Sequence, residues 1–172
     1  MTVVKTEDKI QGKISGASTF VQSEMFGRTF SEGMSLVEET ANYLDGEGRT
    51  ASKSLSRDAA LSYAGASMRL TTQLMQIASW LLVLRAVREG EMALNEAAEP
   101  KYRLDSSDEP EASLAGEGLP EALIGLVEET RQLYGRIRRI DAGLFPTMDE
   151  KTVGADAAAQ QAALLKAFGG AT

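Results

Sequence analysis

The chain has 172 residues, a formal charge of −7, and neither Cys nor His. Without thiols or imidazoles it is excluded from disulfide, thiolate-metal and imidazole-metal chemistry, from Cys or Ser-His catalytic groupings, and from phosphorelay through a His. Its length suits one domain, and the acidic balance without a basic, aromatic-interleaved segment argues against nucleic acid, whose affinity rests on phosphate contacts.

Residues 1–18 carry no periodic apolar pattern and read as a flexible N-terminus. Polar and mixed in charge, they match neither a signal peptide nor a targeting helix. From about Phe20 to Leu44 the residues Phe26, Phe30, Met34, Val37, Ala41 and Leu44 recur every three or four positions, the period of one helical face. Asp45-Gly46-Glu47-Gly48 is a helix stop, and a polar loop then runs to Ser56.

Ser56 is a suitable N-cap and Asp58 suits the first turn of a second helix, predicted from about Arg57 to Glu89. It carries two apolar stripes, Leu61, Ala64, Met68, Thr71, Met75, Ala78 and Leu82 beside Leu70, Leu74, Ile77, Leu81 and Leu84. A rod of roughly 50 Å so apolar calls for cover on two sides, by flanking helices and by a second subunit near Trp80. Its densest apolar run, Ile77 to Leu84, is too short to span a bilayer.

Between 91 and 118 the chain forms an acidic connector, punctuated by Pro100 and Pro110. Pro120 opens a third helix whose face runs through Leu123, Leu126, Val127, Thr130, Leu133, Tyr134, Ile137, Ile140 and Leu144, and Phe145-Pro146 ends it. Residues 146–172 are rich in Ala, Gly and Gln, with one apolar cluster at Leu164, Leu165 and Phe168, and read as a disordered tail. The expected domain is thus 19–145.

Leu36-Val-Glu-Glu-Thr40 recurs as Leu126-Val-Glu-Glu-Thr130, consistent with two helices flanking one central rod. Carboxylates are the one catalytic residue type present in quantity, and Glu38-Glu39 with Glu128-Glu129, or Glu96 and Glu99 with Asp105 and Asp108, are two groupings that could hold Mg²⁺ in a helical hydrolase. Such spacing is common on solvated faces, so this stands as an alternative. Arg131, Arg136, Arg138 and Arg139 make the third helix locally basic; they offer a site for an acidic partner or a phosphate-bearing ligand, or more simply pair with nearby Glu.

Three runs together carry a family resemblance: Phe30-Ser-Glu-Gly-Met-Ser-Leu-Val-Glu-Glu-Thr-Ala-Asn-Tyr-Leu-Asp-Gly46, Ser67-Met-Arg-Leu-Thr-Thr-Gln-Leu-Met-Gln-Ile-Ala-Ser-Trp-Leu-Leu82 and Arg85-Ala-Val-Arg-Glu-Gly-Glu-Met92. They resemble the regulator of CtrA degradation (RcdA) family of alphaproteobacteria over about residues 26–104. The resemblance implies an all-α, three-helix bundle with one long central helix and flexible N- and C-terminal tails. It implies a cytoplasmic, homodimeric, non-enzymatic adaptor without cofactor or metal. Its partners would be a ClpXP protease primed by a response regulator, substrates such as CtrA, and a cyclic-di-GMP-binding adaptor, with neither nucleic acid nor membrane. The candidate partner-binding residues are Glu38, Glu39, Asn42, Tyr43, Asp45, Arg49, Arg69 and Gln73 on the bundle, and Leu164, Leu165 and Phe168 in the tail. A dimeric scaffold with unrelated partners is the remaining alternative.

Overall fold

The structure, a computed structural model, describes residues 16–104 and 118–145. Every regular element among them is helical: α1 over 16–22, α2 Glu24–Asp45, α3 Glu47–Ser52, α4 Arg57–Arg88, α5 Leu94–Ala97, a 3-10 turn Pro100–Tyr102 and α6 Glu121–Leu144. Residues 1–15, the centre of the connector, 105–117, and the tail from 146 onward lie outside the described residues, whereas 16–18, read from the sequence as part of a flexible N-terminus, already belong to α1.

The first predicted helix is two. Ser23 has extended backbone geometry, and its hydroxyl accepts from the Phe26 N–H at 3.3 Å while donating to the Phe20 carbonyl at 2.6 Å. It thereby caps α2, supplying an acceptor that the first turn lacks. Gly46 stops α2 as expected, but the polar loop predicted after it starts as α3. Six residues are too few to hold a helix alone. Burial does so here, with Gly48 pressed against the Tyr43 ring and the Tyr63 hydroxyl.

Ser56 caps α4 as predicted, accepting from the Ala59 N–H at 3.3 Å. The helix closes on Gly90 at φ +77, where Glu91 donates to the Ala86 carbonyl at 2.9 Å and Gly90 to that of Val87 at 3.1 Å. That pair of bonds satisfies carbonyls left over at a helix end, and a glycine takes the left-handed geometry without a Cβ penalty.

Three long helices close a triangle, since α2 and α6 touch each other as well as α4. The Gln22 amide donates to the Arg88 carbonyl at 3.3 Å and Arg85 lies over the Phe30 ring at 5.2 Å, so α2 runs antiparallel to α4. Gly118 lies beside Ala59 while Trp80 meets Asp141, so α6 runs parallel to α4. The chain must therefore return the length of the bundle between them, which is why this connection is long and the one from α2 to α4 short. At Gly33 all three helices converge: an added Cβ would collide with the Leu81 side chain and stand 3.5 Å from Ile77 and 3.8 Å from Leu133.

The core takes the stripe Leu70, Leu74, Ile77, Leu81 and Leu84 of α4, with Phe26 and Leu36 of α2 and Leu123, Leu133, Tyr134 and Ile137 of α6. By length and composition α4 is also long and apolar enough to cross a membrane. In this fold one of its apolar stripes is buried against its neighbours and the other is left exposed.

At the far end a polar cluster fastens the connector to the bundle. Asp141, on the buried side of α6, accepts the Trp80 indole N–H at 2.8 Å and two Arg103 nitrogens at 2.8 Å. The guanidinium also lies 5.0 Å from the Phe145 ring centre. Ile77, Trp80, Leu81 and Leu84 are buried within the chain, while Leu82, at the end where a second subunit was expected, stays exposed.

Candidate partner-binding surfaces

Because α2 and α6 are antiparallel, Glu32 pairs with Arg136 and Gly33 faces Leu133. Carried along both helices, this register sets the two Leu-Val-Glu-Glu-Thr segments past each other in opposite directions. In each segment the Leu and Thr are buried and both Glu are exposed. The second Glu of each, Glu39 and Glu129, stands on the same groove between the helices.

That groove is two depressions joined at Glu39 and Glu129. One, about 350 Å³, is bounded by Glu32, Ser35, Gln132 and Arg136. The other, about 600 Å³, is bounded by Asn42, Tyr43, Gly46 and Glu47 on one side and Ala122 and Gly125 on the other. Arg136 is its one cation and is held by Glu32, whereas Glu39, Glu47 and Glu129 have no ion pair among the described residues. The groove therefore presents excess negative charge over a floor of Leu36, Leu126 and Leu133. Burial, then Tyr63 and Glu47, raises the Tyr43 phenol above its ordinary range. Just outside, hydrogen bonds from Arg131 and then Gln132 pull the Glu128 carboxyl down to about 2.

Of the residues singled out from sequence, Glu39, Asn42 and Tyr43 come together on this groove. Glu38 and Asp45 are exposed on α2 but do not line it, and Arg49 is exposed on α3. Arg69 and the half-buried Gln73 belong to α4 and form no single site with the others. Leu164, Leu165 and Phe168 lie outside the described residues. Sequence reading did not single out Glu47, Gly125 or Gln132 as a partner surface, although the repeated pentapeptide was the signal for it. Among the described residues no group of three or more Asp and Glu stands close enough to hold a metal ion.

The other surface is apolar. Leu61, Met68, Met75 and Leu82, spaced by seven along α4, remain 52–75% exposed, so the first of its two predicted stripes is not covered within the chain. The reason is geometric: α2 and α6 both pack toward the opposite stripe. Where α2 meets this open face there is a notch of about 170 Å³ between Val37, Ala41 and Leu44 of α2 and Leu74, Met75 and Ala78 of α4. Thr40 also lines it, and its buried hydroxyl has no hydrogen-bond partner.

The family described as "Protein of unknown function (DUF1465)" matches residues 17–168. The crystal structure of RcdA from Caulobacter crescentus CB15 is 52% identical, with a TM-score of 0.62, covering 74% of this chain and 97% of that one. The chain belongs to the RcdA family. No curated protein matches it. The three runs that resemble the family form most of α2, the middle of α4, and the last turn of α4 with the turn that follows it.

Proposed function

We propose that this RcdA-family chain is a cytoplasmic, non-enzymatic adaptor that promotes regulated proteolysis of a cell-cycle regulator such as CtrA. It brings substrates to ClpXP protease primed by a response regulator, together with a cyclic-di-GMP-binding adaptor. The observation that carries this reading is 52% identity with RcdA over 97% of the RcdA chain. An adaptor works by raising the effective concentration of a substrate at the protease, so it needs two surfaces and no reacting group. The acidic groove supports one surface, with Glu39, Asn42, Tyr43 and Glu129 meeting a partner that offers cations and apolar side chains. The tail residues Leu164, Leu165 and Phe168 offer another, since a short apolar cluster can be taken up by a groove on a partner.

We further infer that two copies pair through α4. Its exposed Leu61, Met68, Met75 and Leu82 repeat by heptads, the period at which two helices keep one seam in register.

Reconstituted proteolysis tests the reading: degradation of a CtrA-type substrate by primed ClpXP, with and without this protein, and with Glu39→Arg/Glu129→Arg. The protein should accelerate degradation, and reversal of the groove's charge should abolish the gain with an unchanged melting curve. Equal degradation with and without the protein would remove the adaptor reading. A charge-reversed protein that still delivers would remove the groove from it.

A further inference from the structure

The groove between α2 and α6 is built in heptads on both walls. On α2, Glu32, Glu39 and Gly46 border it at steps of seven, and on α6 Ala122, Glu129 and Arg136 do the same. Antiparallel pairing from Glu32 and Arg136 brings Glu39 level with Glu129 and Gly46 level with Ala122, so the two walls share one register. From Glu32 to Gly46 the trough runs about 21 Å at helical rise. We propose that it holds a basic amphipathic helix of a partner protein, lying along the trough with a Lys or Arg set between Glu39 and Glu129.

The form of the trough selects a helix. A period of seven keeps one face of a helix against its neighbour, and both walls have it over the same length. An extended strand repeats every two residues and finds no matching rhythm here. The floor residues Leu36, Leu126 and Leu133 are themselves nearly covered, so the occupant supplies the bulk. Room for it exists at the wide end, where Gly125 is exposed and an added Cβ would meet nothing within 4 Å. A large apolar side chain of the partner fits there, across from Tyr43.

Charge selects its sign. Glu39 and Glu129 border both depressions, and neither has an ion pair among the described residues, so two like charges meet at the middle of the trough. Glu47 adds a third at the wide end, while Arg136 is already paired with Glu32. A cation between the two carboxylates offsets their mutual repulsion and gains attraction from each. An acidic helix would add to that repulsion, and a neutral one would leave it. The uncharged Ser35, Asn42 and Gln132 can hydrogen-bond polar side chains on the flanks of the same helix. The inference rests on the reading of this groove as a partner surface and names what that surface takes.

The probe is a displayed library of random peptides about 18 residues long, enough to span the trough with a turn to spare, selected on the full chain. Winning sequences are synthesised with a fluorophore and titrated by anisotropy against the wild type, Gly125→Leu and Glu39→Arg/Glu129→Arg. Gly125→Leu fills the wide end from a position with open space around it, so it should melt no lower than the wild type. Winners should carry apolar residues three or four apart with Lys or Arg beside them, and should gain helical dichroism on binding. Each variant should weaken them at least about 10-fold, and added salt should weaken binding to the wild type more than to the charge-reversed protein. A selection without winners, winners that are acidic or stay non-helical, or equal binding to the wild type and both variants would overturn the proposal. So would self-association of the full chain, by sedimentation, that Gly125→Leu abolishes, because a second copy then fills the trough. No protease is present in these measurements. Peptide binding without accelerated proteolysis would therefore remove the adaptor reading alone, and delivery of substrate without peptide binding would remove this inference alone.

Discussion

Arg103 reaches Asp141 through two nitrogens at 2.8 Å, with side chains only 15% and 6% exposed, and thereby ties the connector to the end of α6. Trp80 donates to the same carboxylate, so one buried anion is shared by a cation and an indole.

Loss of that anion leaves both donors stranded. Asp141→Ala should destabilise the fold by about 3–5 kcal/mol, the range for breaking one side of a buried pair. Asp141→Leu with Arg103→Met should cost less than either single change, because no buried charge then remains. Urea unfolding midpoints with unchanged slope check both. A double variant as unstable as Asp141→Ala would show that packing, not charge, dominates.

Glycines in the long helices should divide by their surroundings. Gly33→Ala forces Leu81 out of a fully buried position, and overpacking of this kind costs about 1–3 kcal/mol, against up to ~1 kcal/mol of helix propensity regained. Gly135→Ala meets nothing within 4 Å and should stabilise by about 0.5–1 kcal/mol. Thermal melts of the two variants should move in opposite directions.

Acid titration gives a third expectation. The Glu128 carboxyl is depressed to about 2 by Arg131 and Gln132, so the folded state binds this proton less readily than the unfolded chain. Its contribution is therefore present above about pH 4.5 and is lost as the pH falls through about 2. Carboxyl carbon resonances should show this midpoint, and Arg131→Ala should raise it toward the ordinary range. The effect on stability should be small and weaken with salt, since both side chains are about half exposed.

A fourth concerns the open stripe of α4. If two copies meet there, Met68→Glu/Met75→Glu should yield a monomer by sedimentation while helical circular dichroism is retained. A variant that stays associated would move the seam elsewhere.

The long helices were legible because each carries a periodic apolar face and conspicuous ends, as with Ser56 before α4 and Pro120 before α6. Less legible were features that depend on the third dimension. Ser23 looks like an ordinary polar residue until Phe20 and Phe26 are seen around it. The helix α3 exists because Gly48 fits between the Tyr43 ring and the Tyr63 hydroxyl, and local propensity says nothing of that. Asp141 had a signal that was passed over: it follows Leu133 and Ile137 at four-residue steps, so a carboxylate occupies the buried stripe of α6. Apolar width did not reveal which of the two α4 stripes would be covered, because either satisfies the same period. Similarly, the groove needed the antiparallel pairing of α2 and α6 before the repeated pentapeptide could be read as one surface.

Trp80 is the chain's single tryptophan, and the anion that accepts its indole N–H belongs to α6. Intrinsic fluorescence is thus an optical gauge of one event, the arrival of α6 on the α2–α4 pair. That event closes the longest connection among the described helices, and loop-closure entropy makes it the more demanding one for a refolding chain. Followed beside far-ultraviolet dichroism, which registers all the helices, the same indole separates the time at which helix forms from the time at which the third side of the triangle is put in place.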